Sequence, residues 1–294
     1  MVFVVVAVVV ARLSLGGGSA AKPAAATTPA ASVSTRSPSA PTAKPSPSRG
    51  AVSPFASLSS YLAGQPGQIT AAVYDARTGQ TWVYHPGVEE DTASIVKVQI
   101  MGTAMRQAEA AGTSLPATQT ALMQTMIENS DNQAATTLLA DVGGPSAVKT
   151  FDLSAGLRHT TPSTLALIPG TQWPGWGLTT TTALDQVTLV SRFAYPNAIL
   201  GTADRQHGLG LMEHVEADQA WGVSAGVTPG TTVALKNGWI DLAGTGWQVN
   251  SIGWIDGNGR NYVLAVLTSG SPTEADAISV IQAISQSVFN QLGP

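Results

Sequence analysis

From Phe55 onward, the spacing of apolar and polar residues divides the chain into strand-like and helix-like runs. Q-I-T-A-A-V-Y-D-A and Q-T-W-V-Y-H-P flank R-T-G, with Gly79 in the turn, which reads as a β-hairpin. A helix is predicted ahead of it, over Phe55 to Ala63. The stretch from about Ser94 to Met212 is helix-rich and broken by loops. Within it, G-G-P-S-A-V-K-T-F combines a Gly-Gly stop with a Pro start. Three strand-like runs come next: T-V-A-L-K-N-G-W-I, G-W-Q-V-N-S-I-G-W-I and N-Y-V-L-A-V-L-T. D-G-N-G-R joins the last two as a turn signal, and an amphipathic helix, Ala275 to Leu292, closes the chain. Two strands in front and three behind, with helices between, predict an α/β (α+β) fold. Its antiparallel five-stranded sheet is built from both chain ends and flanked by helices, beside a helical lobe. A cleft where the lobes meet is the expected ligand site.

No such periodicity precedes Pro54. Val2 to Val10 is an apolar run followed by Arg12, too short for a membrane span and similar to the core of an export signal. Residues 1–15 are therefore expected to be a signal or membrane-anchor remnant, with the natural start upstream of Met1. Residues 16–53, almost entirely Ala, Pro, Ser, Thr and Gly, have little bulk to bury and are expected to form a disordered tether. Residues 54–294 are expected to form one catalytic domain, monomeric and exported or held in the cell envelope. A net charge of -4 without basic clusters argues against nucleic acid as a partner. The absence of cysteine excludes a disulfide framework and thiolate metal sites.

The candidate chemistry begins at D-T-A-S-I-V-K-V, Asp91 to Val98, where Ser94 and Lys97 stand three apart in an otherwise apolar run. Positions i and i+3 share a helix face. Taken alone, the pair fits either a lysine that snorkels to solvent or a buried, activated one. Two other matches fail on context. G-V-S-A-G (Gly222 to Gly226) has the outline of a nucleophile elbow, but all four histidines lie upstream of it. S-A-V-K (Ser146 to Lys149) sits at an ordinary exposed helix start. Ser94 differs because two further motifs lie downstream of it. Ser130-Asp131-Asn132 stands between two helical segments, and Lys236-Asn237-Gly238 lies on a predicted strand.

Ser-x-x-Lys, Ser-Asp-Asn and a Lys-x-Gly strand, in that order, resemble the set found in β-lactamases and penicillin-binding proteins, specifically the class A β-lactamases. The resemblance covers essentially all of residues 54–294, including D-V-G-G-P-S-A-V-K-T-F and T-T-T-T-A-L-D. It implies Ser94 as nucleophile, Lys97 as its base and Ser130 as a proton relay to the leaving nitrogen. It further implies Asn132, Lys236, Asn237 and Gly238 as substrate-binding residues, and the backbone N–H groups of Ser94 and Trp239 as the oxyanion hole. Asp131 reads as a brace for its loop. No cofactor and no metal is implied, and His207 and His214 lack a third ligand at a usual spacing.

Several departures qualify the resemblance. The family's middle-loop glutamate, which serves deacylation through a water, falls on Thr161 here, and its asparagine on Leu165, aligned on Ile168-Pro169-Gly170. Glu128 is the nearest substitute carboxylate and reads as a solvated helix end. Asn237 replaces a threonine, and no arginine lies between Lys236 and Gly259. Only 36 positions separate Ser94 from Ser130, which predicts a more open cleft. Trp173 and Trp176, in T-Q-W-P-G-W-G, read as packing anchors or a stacking surface. The expected function is a serine acyl-enzyme hydrolase acting on β-lactams or D-Ala-D-Ala-like peptidoglycan stem peptides, with slow deacylation. An esterase or amidase on another acyl group, or a non-catalytic envelope-binding domain, are the alternatives.

Overall fold

The computed structural model describes residues 52–242 and 244–293. The expectations for residues 1–15, and for residues 16–53 apart from Val52 and Ser53, lie outside them. In chain order the elements are α1 (Ser59–Ala63), β1 (Gln68–Asp75), β2 (Gln80–Tyr84), β3 (Glu90–Asp91), α2 (Lys97–Ala110), α3 (Ala117–Glu128), α4 (Asn132–Asp141) and α5 (Gly144–Ala155). They continue as β4 (Thr180–Thr181), α6 (Ala183–Ala194), α7 (Thr202–Glu213), β5 (Thr232–Leu242), β6 (Gly246–Gly257), β7 (Arg260–Ser271) and α8 (Glu274–Gln291). The main sheet runs β2-β1-β7-β6-β5 and is antiparallel throughout, so the front hairpin joins the back three strands along β1–β7. This is the sheet expected from the sequence.

Local chemistry sets the element ends. In the β6–β7 turn, Gly257 pairs with Arg260. Asn258 and Gly259 between them both have positive φ (50° and 73°), the geometry that a two-residue primed turn requires. Asp131 caps α4 by accepting from the Ala134 amide at 2.6 Å, and Thr182 and Thr273 cap α6 and α8 in the same way. Alternation along β7 divides two cores. Val263, Ala265 and Leu267 face the helical lobe around α2, whereas Tyr262, Leu264 and Val266 pack against α8 and Phe55. Pro54 is tied to α8 through its carbonyl, which accepts from Ser287 and Gln291.

The central helix α2 is buried nearly all round. It is locked from below by a wholly buried pair: the Gln99 amide donates to both carboxyl oxygens of Asp152 on α5, each at 3.0 Å. Burial pushes the Asp152 carboxyl up to about 7, against the opposing effects of Gln99 and Lys149. An unfolded aspartate titrates near ~3.9, so between these values the folded state holds a proton that the unfolded state has lost. Stability contributed here is present at acid pH and falls as pH rises through that window. Asp152→Asn is expected to raise the thermal midpoint at pH 8 and to leave it nearly unchanged at pH 4. A pH-independent difference between the two proteins would contradict this account.

Candidate active site

Three elements converge on one serine hydroxyl. A short 3-10 turn, Ala93–Val96, carries Ser94 into α2 and Lys97, the loop between α3 and α4 carries Ser130, and β5 carries Lys236. Lys97 does not snorkel; it is 0% exposed. Its Nζ lies 3.0 Å from Ser94 Oγ, 2.6 Å from the Ser130 carbonyl, 3.1 Å from Ser130 Oγ and 2.8 Å from Asn132 Oδ1. Lys236 is equally buried, and its Nζ lies 2.9 Å from Ser130 Oγ and 2.9 Å from the Asn237 carbonyl. The two lysines thus share the Ser130 hydroxyl.

Neither lysine has a carboxylate bonded to it among the described residues. Burial pushes Lys97 well below the ordinary lysine range, the charge of Lys236 lowers it further, and Asp131 opposes both. Burial alone brings Lys236 down to about 7. Donor arithmetic gives the neutral state of Lys97 its meaning. A neutral amine has two N–H groups and one lone pair. The Ser130 carbonyl and Asn132 Oδ1 can only accept, so they take both N–H groups. The lone pair is left for a hydroxyl, and Ser94 and Ser130 supply the two within reach. This leaves a possible proton acceptor 3.0 Å from the Ser94 hydroxyl.

The backbone is strained where the chemistry concentrates. Among the described non-glycine residues only His85, Ala93, Ser130 and Asn258 have positive φ, and Ala93 (46°) and Ser130 (54°) hold the two serines. Such conformations cost roughly 1–3 kcal/mol each and persist only where the surroundings enforce them. Gly238 is one enforcer: a Cβ there would lie 2.5 Å from the Ser94 amide nitrogen, so only glycine lets β5 approach the turn this closely. Asn250 is another, and sequence reading missed it. Its Nδ2 donates to the carbonyls of Asp91 and Thr92, and its Oδ1 accepts from the Thr268 amide. No sequence signal singles it out, because β6 also carries Gln248 and Ser251.

Ser94, Asn132 and Trp239 line one slot, together with Trp173 and Trp176. The space it encloses is about 10 Å³. Trp176 is a buried anchor: its indole N–H donates to Thr136 Oγ1 at 3.0 Å, and its ring lies 5.1 Å from Lys97 Nζ. Trp173 is half-buried at the slot's edge. No carboxylate lines the slot. Thr161 is exposed and bridged to Thr180, while Glu128 accepts from Gln124. Asp131, half-buried, spends its carboxylate on the α4 cap. The Asn237 side chain donates through Nδ2 to the carbonyls of Gln219 (2.8 Å) and Trp221 (3.0 Å). A threonine has one hydroxyl proton and could not hold both. The G-V-S-A-G and S-A-V-K serines are occupied elsewhere, Ser224 on the Ala220 carbonyl and Ser146 on that of Gly143.

The model of the beta-lactamase enzyme family matches residues 116–292. No curated protein matches the chain. Among solved structures, the TLA-1 extended spectrum beta-lactamase superposes with a TM-score of 0.72 at 21% identity, covering 82% of this chain and 98% of its own. An ancestral (GNCA) class A beta-lactamase gives 0.69 at 22% identity, with coverages of 81% and 99%. A class A beta-lactamase from Bacteroides cellulosilyticus DSM 14838 gives 0.69 at 20%, with 81% and 96% covered. At these identities the likeness establishes the fold.

Because the Lys236 charge holds Lys97 down, Lys236→Met is expected to raise the Lys97 pKa. The rising limb of Ser94 labelling by a neutral fluorophosphonate, followed against pH, should move to higher pH. An unmoved limb would show that the two lysines are not coupled.

Proposed function

The chain belongs to the beta-lactamase enzyme family, and from that premise we propose that it is a serine acyl-enzyme hydrolase whose nucleophile is Ser94. One observation carries the reading: Lys97, buried and without a bonded carboxylate, has its N–H groups taken by two pure acceptors while Ser94 Oγ stands 3.0 Å away. Lys97 takes the Ser94 proton as Oγ attacks the substrate carbonyl. The oxyanion is received by the backbone N–H groups of Ser94 and Trp239, each such donor being worth about a hundred- to thousandfold in rate. As the C–N bond breaks, Ser130 gives its proton to the leaving nitrogen and recovers one from Lys97. Lys236 polarises the Ser130 hydroxyl, and Asn132 Nδ2 is left to hold a substrate carbonyl.

Deacylation is where this chain departs from an efficient hydrolase. Attack by water needs a base, and the slot around Ser94 holds no carboxylate. The acyl-enzyme on Ser94 therefore persists. For the substrate we keep a β-lactam or a D-Ala-D-Ala-like peptide as first choice. The Asn237 geometry favours a second reading, an ester or amide lacking a carboxylate beside the scissile bond. The side chain at that position is committed to the Gln219–Trp221 backbone, and no arginine stands on β5 or β6. Export or envelope tethering is part of the proposal, carried by the Val2–Val10 run and the cysteine-free composition.

The test is intact mass spectrometry after incubation with a penicillin, alongside Ser94→Ala and a chromogenic ester. A Ser94-dependent adduct lasting hours is the expected result. An adduct that clears in seconds would show that another group activates water. Ester turnover through Ser94 without a penicillin adduct would select the second reading. No reaction of either kind would leave a non-catalytic binding domain.

A further inference from the structure

Ser130 and Lys236 come from separate elements, yet one short segment spans the gap between them. Residues 216–221, between α7 and β5, bond on one side to the two residues ahead of Ser130 and on the other to the residue after Lys236. On the first side, the Glu216 amide donates to the Glu128 carbonyl at 3.0 Å, and Asn129 Nδ2 donates to Glu216 Oε1. Gln219 Nε2 donates there too, to the Asn129 carbonyl at 3.3 Å and to Glu216 Oε2 at 3.4 Å. On the second side, the Gln219 and Trp221 carbonyls take both N–H groups of Asn237, and the Trp221 ring centroid lies 5.8 Å from that of Trp239. Gln219 is where the two sides meet, its side chain on Asn129 and its carbonyl on Asn237. It is 9% exposed, although Glu216, Ala217, Asp218 and Ala220 around it are exposed. A peptide unit is planar, so a bond on the Asn129 carbonyl also orients the Ser130 amide, the plane from which the Ser130 φ of 54° is set.

We propose that Gln219 is a positioning residue for proton transfer at Ser130, bridging the Ser130 loop to β5 so that Ser130 Oγ stays 2.9 Å from Lys236 Nζ. Gln219 does not line the Ser94 slot, so it acts through Ser130 and not on the substrate. The inference rests on the acyl-enzyme reading given above. In that reading Ser130 Oγ gives its proton to the leaving atom as the bond to the acyl carbon breaks, and takes one from Lys97. A displaced Ser130 hydroxyl therefore matters in proportion to how much the leaving atom needs a proton. The Asn237 bonds serve the same end from the other side. They hold the peptide whose carbonyl accepts from Lys236 Nζ at 2.9 Å. A segment that only braced the fold would affect all leaving groups alike.

The test follows Ser94 acylation of the full 294-residue chain by intact mass spectrometry, using phenylacetate esters of p-nitrophenol, phenol and trifluoroethanol. The leaving oxygen becomes more basic along that series. Gln219→Met should leave the p-nitrophenyl ester within about twofold of wild type and slow the trifluoroethyl ester about ten- to a hundredfold, with the phenyl ester between. Ser130→Ala should show the same trend, and adding Gln219→Met to it should cost nothing more. Glu216→Ala changes an exposed residue and should repeat the trend more weakly, which keeps the test decisive if Gln219→Met does not fold. Equal slowing of all three esters, a further loss on top of Ser130→Ala, or wild-type rates in both variants would overturn the proposal. Absence of Ser94 acylation by any ester in the wild-type chain would instead remove the hydrolase reading, and this role with it.

Discussion

Two ammonium groups buried around one serine hydroxyl are the constraint on which the rest of this structure depends. A buried, unpaired charge is among the least tolerable features of a protein interior, and here two meet at Ser130 Oγ, 3.1 Å from Lys97 and 2.9 Å from Lys236. The arrangement persists because protons can leave. Each lysine lowers its cost by becoming neutral, and a neutral amine beside two hydroxyls is a base. Stability and reactivity therefore have a common origin in this site.

The surrounding fold keeps that geometry from relaxing. The turn before α2 and the loop before α4 both hold a non-glycine residue at positive φ, Ala93 and Ser130. Neither would stay there if β5 did not press against the first and the Asp131 cap did not seat the second. Trp176 closes the remaining side of Lys97. The slot beside Ser94 is lined by aromatic surface and by no carboxylate.

The sheet and helices were legible because period-two and helical patterns, D-G-N-G-R and the Gly-Gly-Pro break each have a local physical cause. Ser94, Lys97, Ser130 and Lys236 were legible as an ordered set of motifs, and the structure brings them within hydrogen-bond reach of one another. Less was legible where a side chain has a choice of partners. The two amide protons of Asn237 find the Gln219 and Trp221 carbonyls, a pairing that no local pattern announces. Trp173 and Trp176 arrive from a Pro/Gly loop to line the Ser94 slot, a placement that the sequence left open between packing and stacking. Asn250 acts through backbone carbonyls that no sequence pattern connects to it.

The central claim is that Lys97 is a neutral amine at the pH where the protein works. It is read directly by ¹³C NMR titration of lysine Cε labels, with the Lys97 signal assigned by its loss in Lys97→Arg. The account requires Lys97 to titrate well below the ordinary lysine value of about 10.4. A Lys97 that stays protonated up to pH 10 would contradict it, leaving Ser94 without the base on which the mechanism rests.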